Sequence, residues 1–248
     1  MSSLVSRIPS TVDVSIVIPA YNEEERIGST LVEIIRYFKN KGVRFEVIVV
    51  DDGSSDRTAE IAGQKLAGTA HQILKNPSNQ GKGYSVRCGV LASQGDLVLF
   101  VDSDLSTPIE DFEKLELVLR RGCDVAIGSR ALATSDVQIH QNVLRETMGK
   151  TFNVMARLFS FRGIHDSQCG FKIFKREPAK TLFERQKITS FCFDAEILFL
   201  AQKMGYRIQE VGVRWRNSPK SKVHILLDPL RMFWDLLRIQ WLHWGEKY

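Results

Sequence analysis

The chain has 248 residues, 44% of them hydrophobic and 25% charged, with a formal net charge of +5 and a pI near 9.0. That much apolar material can bury a large core, and with no compositional break it argues against two small domains and for one large α/β domain. The basic balance favours anionic partners such as nucleotides, phosphorylated substrates or an acidic lipid surface, although a solvated surface with a mild basic excess would carry the same charge.

Residues 1–13 mix Ser, Arg, Pro and Asp without the apolar core of a signal peptide, so they are expected to form a tail with no export function. From residue 14 onward, short β-branched runs alternate with helical patterns, the signature of βαβ units around a parallel sheet. Strands are predicted at Val14–Ile18, Phe45–Val50, Gln72–Leu74, Leu97–Val101 and Val125–Ile127, separated by helical patterns near 24–40, 56–67, 83–93 and 108–121. Thr107 and Pro108 read as the N-cap and first-turn proline of the last of these helices. After Ser129 the rhythm changes to a helical region near 142–160, the compact segment Asp166–Lys172, two further helical patterns and the strand-like Ile208–Trp215. Asp228 and Pro229 open a terminal helix that runs towards Trp244. The cysteines Cys88, Cys123, Cys169 and Cys192 are far apart, with no C-x-x-C and no histidines to complete a zinc site, which predicts reduced thiols in a cytosolic chain. No run approaches the roughly 20 apolar residues of a spanning helix, so a soluble or peripheral protein is expected.

The most informative stretch is Val98 to Asp104. Its first four residues contain no polar member, as in a central parallel strand covered on both faces, and Asp102 and Asp104 follow where that strand leaves the sheet. Ligands of open α/β sheets bind at that edge, where an acid pair suits a divalent cation. Taken alone the pair also suits a turn or a helix cap.

Three earlier loops have compositions suited to a nucleoside diphosphate. In Pro19-Ala20-Tyr21-Asn22-Glu23 the ring could lie beside a base or ribose and the carboxylate could accept ribose hydroxyls, although a capped turn would read the same. In Asp51-Asp52-Gly53-Ser54-Ser55-Asp56 the serines suit a helix cap, whereas two successive acids at a strand tip could accept the imide N–H of a uracil. Asn79-Gln80-Gly81-Lys82-Gly83 resembles a small phosphate cradle with a lysine, without full P-loop spacing.

Val17 to Glu23, Val50 to Asp56 and Asp102-Ser103-Asp104, in this order and spacing, resemble the family 2 glycosyltransferases of the GT-A fold. Gly128-Ser129-Arg130, Asp166 to Lys172, Phe193-Asp194-Ala195-Glu196 and Ser221-Lys222 resemble the polyprenyl-phosphate sugar synthases within that family, especially the dolichyl-phosphate β-glucosyltransferases. The resemblance implies a Rossmann-like, mostly parallel central sheet flanked by helices, organised as a tail (1–13), a GT-A domain (14–225) and an amphipathic C-terminal helix (226–248). It also implies that Pro19, Tyr21, Glu23, Asp52, Gly81, Lys82, Asp102 and Lys222 surround the nucleotide sugar, and that Asp102 and Asp104 handle Mg²⁺ or Mn²⁺. Ser106 is a departure, because mannosyl-phosphate synthases of the family often carry a glutamine there; this leans away from GDP-mannose and towards UDP-glucose. Eukaryotic glucosyl enzymes also carry an N-terminal membrane helix that this sequence is expected to lack.

The reaction implied is an inverting displacement at the anomeric carbon, and the acceptor decides what else is required. A sugar hydroxyl needs a general base, for which Asp166 is the candidate; with a phosphate acceptor Asp166 would instead orient a bound group. A lipid monophosphate is largely dianionic at neutral pH and needs cations instead, for which Arg130, Arg145, Lys150 and Lys222 are available. Asp194 and Glu196 open a helix, where a dipole interaction explains them as well as a sugar contact does. In helical projection Asp228, Arg231, Asp235 and Arg238 form a narrow polar stripe, with Met232, Phe233, Leu236, Leu237, Trp241 and Trp244 over much of the remainder. Such a helix suits a membrane interface, and equally a terminal helix packed on the domain or in a homodimer. The sequence therefore predicts a hexosyltransferase acting on UDP-glucose and a polyprenyl or dolichyl phosphate, peripheral to the cytoplasmic face of a membrane, without a nucleic-acid partner. A family 2 enzyme acting on a glycan hydroxyl, a nucleotide-sugar-binding regulator and a nucleotidyltransferase are the alternatives.

Overall fold

A computed structural model describes residues 12–139, 162–216 and 227–246. Strands β1 (Val14–Ala20), β2 (Phe45–Asp51), β3 (His71–Lys75), β4 (Leu97–Val101), β5 (Val125–Ser129), β7 (Phe171–Lys175) and β8 (Ile208–Gly212) form one sheet in the order β3-β2-β1-β4-β7-β5-β8. Every ladder is parallel except those of β7, which runs antiparallel to both β4 and β5. A short parallel ribbon of β6 (Asp136–Ile139) and β9 (Arg214–Arg216) lies beside it.

The period-2 alternation of the strands divides the core into two layers. Ile16, Ile18, Leu99 and Val101 point towards helices α1 (Ile27–Lys41), α2 (Thr58–Leu66) and α4 (Phe112–Arg120). Val17, Val98 and Phe100 point towards α3 (Lys82–Ala92), α5 (Arg176–Arg185), α6 (Phe193–Lys203) and α7 (Leu227–Leu242). In α1 the buried residues Ile27, Leu31, Ile34 and Phe38 recur at helical spacing, and Gly42 with φ 66° ends the helix in the left-handed conformation.

The predicted strands and helices of the first half are present, with β1 extending two residues further, to Ala20. Three expectations change. Thr107 does not cap α4: Pro108 precedes a 3₁₀ turn at Ile109–Asp111, and the Thr107 hydroxyl lies 3.9 Å from Cys169 Sγ. Strand β7 was absent from the prediction because Lys172 interrupts its apolar run, and that lysine is itself buried. Ile208–Trp215 is two strands, since the chain leaves the main sheet at Val213, whose N–H donates to the Ser129 carbonyl at 3.2 Å. The predicted helix near 142–160, and with it Arg145 and Lys150, lies outside the described residues, as do Ser221 and Lys222.

Gly89 shows how tightly α3 seats on the sheet, because a Cβ there would collide with Val17 Cγ1 and touch Val50 Cγ2 at 3.0 Å. Helix propensity would reward Gly89→Ala by about 1 kcal/mol, whereas overpacking a rigid core costs about 1–3 kcal/mol. The substitution is expected to lower unfolding free energy by up to about 2 kcal/mol in a denaturant titration, against the gain of about 1 kcal/mol that propensity alone predicts.

Candidate active site

Strand β4 delivers Asp102 to the carboxyl edge of the sheet, and four contacts fix the turn that follows. Asp102 N–H donates to Gly170 O at 3.1 Å, and Leu105 N–H, with φ 45° at that residue, donates back to Asp102 O at 3.1 Å. The Thr30 hydroxyl of α1 donates to Ser103 O at 2.7 Å, and Asp104 Oδ1 accepts the Ser106 N–H at 3.0 Å. A Cβ on Gly170 would overlap the Asp102 carboxylate, so any other residue there would displace that side chain.

The two acids are partly open and unequally partnered. Asp102 Oδ1 pairs with Lys82 Nζ at 2.7 Å, while Asp104 Oδ2 lies 3.9 Å from Arg26 Nη1. Burial, and then the neighbouring Asp102, push the Asp104 carboxyl above its ordinary value. Burial alone would lower the Lys82 ammonium, but Asp102, Asp194 and Asp104 raise it, so Lys82 is cationic at neutral pH. Among the described residues no group of three or more His, Cys, Asp or Glu is arranged to hold a metal ion by itself. Two hard carboxylates at a turn that leaves both partly open fit a Mg²⁺ or Mn²⁺ ion, which would need further oxygen ligands from outside the protein.

The first two loops are tied to each other. Asn22, at φ 52°, donates its N–H to Ser54 Oγ at 2.9 Å and accepts the Ser55 N–H on Oδ1 at 2.9 Å. Glu23 and Glu24 donate their N–H groups to Thr58 Oγ1 and Asp56 Oδ2. Ser54 and Ser55 therefore bind the neighbouring loop, and Asp56 Oδ1 accepts the Thr58 N–H at the start of α2. The Glu23 carboxylate receives Arg26 side-on, with Nε and Nη2 each at 2.7 Å. Pro19 is buried in β1, and Tyr21 is exposed at the rim.

The phosphate-cradle reading of the third loop needs revision. Asp52 Oδ1 accepts the Asn76 amide at 2.7 Å and the Gln80 N–H at 3.0 Å, and its Oδ2 accepts the Gly81 N–H at 2.9 Å. The anion in this backbone nest is thus the protein's own carboxylate, and Asp52, 3% exposed, has little left to offer a base. A Cβ on Gly81 would stand 2.5 Å from Thr189 O, so that glycine answers crowding from a distant segment. What the loop presents to the acid pair is the Lys82 side chain, lying over the Phe100 ring at 5.4 Å.

Asp166 is committed to Arg130. It accepts Arg130 N at 2.9 Å, Nε at 2.7 Å and Nη2 at 2.8 Å, and the Gln168 N–H at 3.2 Å. Burial alone would raise its pKa, yet Arg130 pulls it down to about 2. Such a carboxylate is a poor proton acceptor at neutral pH, which weighs against the general-base reading, and its hydrogen bonds hold the Arg130 side chain in place. Arg130 also lies over the Trp215 ring at 5.3 Å and remains 27% exposed. The sequence reading passed over Lys172 as a buried cation: its Nζ donates to Cys169 O at 2.6 Å and Asp194 Oδ1 at 2.5 Å, clamping the Asp166–Lys172 turn from below. Glu196 lies in the first turn of α6 as expected, and its carboxylate also accepts the N–H groups of Lys187 and Ile188 and meets His243 Nε2 at 2.7 Å.

Residues 15–183 match the family model described as glycosyl transferase family 2. The chain is 36% identical over 237 residues to a dolichyl-phosphate beta-glucosyltransferase of Trichomonas vaginalis, covering 91% of this chain and 72% of that one. It is 34% identical over 244 residues to the Homo sapiens dolichyl-phosphate beta-glucosyltransferase, covering 93% and 75%. Its fold is similar, at TM-score 0.64 and 20% identity, to glucosyl-3-phosphoglycerate synthase from Mycobacterium tuberculosis solved with Mn²⁺ and UDP-glucose, covering 96% and 81%.

The Asp166–Arg130 pair has a pH signature. Because the folded pKa is depressed to about 2 from 3.8, the stability it contributes is complete above the unfolded value and is lost as pH falls through the folded one. Asp166→Asn is therefore expected to cost about 1–3 kcal/mol at neutral pH, with the gap to wild type narrowing only as pH drops below the unfolded value. Denaturant titrations of both proteins across the acid range test this, and a gap that already closes near pH ~6 would remove the pairing as its cause.

Proposed function

Because this chain belongs to glycosyl transferase family 2 and is a glycosyltransferase grouped with the dolichyl-phosphate β-glucosyltransferases, we propose that it transfers glucose from UDP-glucose to a dolichyl or related polyprenyl phosphate with inversion. The observation that carries the acceptor class is the state of Asp166. The acid that a hydroxyl acceptor would need as a base is ionised, buried and bound to Arg130. A phosphate monoester needs no base and does need a cation, and Arg130 retains N–H groups beyond the two that Asp166 occupies.

In the proposed step an acceptor phosphate oxygen forms a bond to the anomeric carbon of glucose while the bond from that carbon to the diphosphate oxygen breaks. UDP leaves with the electron pair, and no proton is transferred. Arg130, with Arg145 and Lys222 as further candidates, offsets the repulsion between acceptor phosphate and donor diphosphate. Lys82 stands by the diphosphate, and Pro19, Tyr21 and Glu23 line the nucleoside end, with Asp52 and Gly81 shaping the loop that carries Lys82. Asp102 and Asp104 would hold Mg²⁺ or Mn²⁺, which supplies positive charge against the charge growing on the leaving diphosphate.

The acceptor class places the enzyme at a membrane. Among the described residues no helix is long and apolar enough to cross one, and Trp234, Trp241 and Trp244 are exposed on or just after α7. The exposed tryptophans support peripheral attachment, which we assign to the cytoplasmic face, with residues 226–248 as the attaching element of a 14–225 catalytic domain.

Incubating the protein and Mn²⁺ with polyprenyl phosphate and labelled UDP-glucose is expected to move label into the organic phase, with UDP-N-acetylglucosamine and GDP-mannose giving far less. Asp102→Asn and Asp104→Asn should each reduce turnover by about 10²-fold or more, as for loss of a group that stabilises leaving-group charge. Label that stays aqueous, on a glycan or other hydroxyl acceptor, would favour the alternative family 2 reaction.

A further inference from the structure

Residues 186–191, between α5 and α6, touch the third loop on one side and α7 on the other. Towards the loop, Gln186 Nε2 donates to Gly83 O at 2.9 Å, Thr189 O accepts the Tyr84 N–H at 3.2 Å, and the Phe191 ring lies 6.0 Å from Lys82 Nζ. Gly83 has no room for a side chain, because a Cβ would be 2.7 Å from Phe193 Cβ and 2.9 Å from the carbonyls of Ile188 and Ser190. Towards α7, the Ser190 hydroxyl donates to Asp235 Oδ2 at 2.6 Å, and Lys187 Nζ donates to Leu242 O at 2.6 Å and Glu246 Oε1 at 2.5 Å. Glu196 completes the clamp by holding the Lys187 and Ile188 N–H groups and the fully buried His243 on the same carboxylate.

The apolar remainder of the helical projection divides in the structure into two opposite faces. Leu236, Ile239 and His243 are buried against the domain, whereas Trp234, Leu237, Trp241 and Trp244 share the other side and are 64%, 37%, 73% and 81% exposed. Arg238, 60% exposed, borders that face. Indole rings spread along a helix, with an arginine beside them and a chain of net charge +5, suit the polar–apolar boundary of an anionic bilayer better than a second, equally basic copy of this chain.

We propose that the tryptophan face of α7 docks on an anionic lipid surface, and that residues 186–191 transmit this docking to the end of the third loop at Gly81 and the first turn of α3 with Lys82 and Gly83, tightening the donor site when the enzyme is on the membrane. Immobilising α7 fixes Asp235 and His243, these fix Ser190 and Lys187, and the same short segment restricts the backbone from Gly81 to Tyr84. Part of the ordering cost of donor binding is then met in advance by the membrane contact. The inference rests on the reading of that loop as part of the donor site.

The test uses the full chain, vesicles of equal parts phosphatidylcholine and phosphatidylserine, and calorimetric titration with UDP and Mn²⁺. Wild type is expected to sediment with the vesicles and to bind UDP at least about fivefold more tightly in their presence, the low end of ordinary coupling between sites. Trp234→Ser combined with Trp241→Ser should lose both effects while binding UDP as wild type does without vesicles. Ser190→Ala and Asp235→Asn should still sediment but lose most of the gain in UDP affinity. UDP affinity unchanged by vesicles in wild type, or a gain that survives Ser190→Ala and Asp235→Asn together, overturns the coupling and leaves the proposed transfer reaction intact. Failure to sediment, or a tryptophan-dependent dimer in sedimentation velocity, overturns the lipid occupant, and absence of UDP binding under every condition overturns the donor-site reading itself.

Discussion

The candidate site depends on how closely the Asp166–Lys172 turn approaches the tip of β4. That approach is set by β7, which enters between β4 and β5 in the opposite direction and so brings the turn preceding it back over the edge where the parallel strands end. Asp102 gives its N–H to Gly170 and lays its carboxylate where a side chain on residue 170 would be. Two pairs then hold the turn, the part-buried pair of Asp166 with Arg130 at its start and the buried pair of Lys172 with Asp194 at its end. Buried ion pairs are weak arguments for net stability, because an apolar replacement of similar volume often does as well. Their value here is positional: each commits a carbonyl or a guanidinium that an apolar replacement would leave free, Cys169 O in one case and the Arg130 side chain in the other.

This arrangement separates the acids by role. Asp52, Glu23, Asp166, Asp194 and Glu196 are all buried or nearly so, each engaged by a cation or by backbone N–H groups, and together they fix loops. Asp102 and Asp104 differ in being half-open and close together, and Asp104 has been pushed up by burial and by its neighbour. The five buried acids are satisfied by their own partners, whereas Asp102 and Asp104 keep exposed surface beside one close cation, Lys82, the state expected of a pair that would still take a divalent ion. The distinction is invisible in composition, because all seven are equally acidic letters in the sequence.

Much of the fold was legible because the physics that makes it is local. Period-2 apolar runs, helical spacing and the polar-free Val98–Val101 stretch each follow from which faces are buried, and the strand-tip acids follow from where such a strand ends. Strand β7 was not legible, since Phe171-Lys172-Ile173-Phe174-Lys175 places a charge inside an interior strand and only a partner twenty-two residues away makes that tolerable. Asp166 was found by its position in a motif but given too broad a role, because its fourfold engagement by Arg130 and Gln168 depends on the end of β5 lying beside it. Glu196 is similar: its helix-opening position is real, and its partners come from residues 187, 188 and 243.

The glycines sharpen the point. In sequence, Gly81 and Gly83 around Lys82 suggest a backbone bared for phosphate, and Gly170 suggests a simple turn. In the structure each marks a place where another segment comes within side-chain distance: Thr189 over Gly81, Ile188, Ser190 and Phe193 over Gly83, and Asp102 over Gly170. The nest that Gly81 helps form is filled by Asp52, so the loop is shaped from beneath by a carboxylate and from above by residues 186–191. A loop gripped on both sides has little freedom of its own, and the placement of Lys82 against Asp102 follows from where those two neighbours sit. One neighbour, Asp52, is anchored at the end of the sheet. The other lies between α5 and α6 and is hydrogen-bonded to the terminal helix through Ser190 and Asp235, which ties the surroundings of Lys82 to an element more than a hundred residues away in the chain.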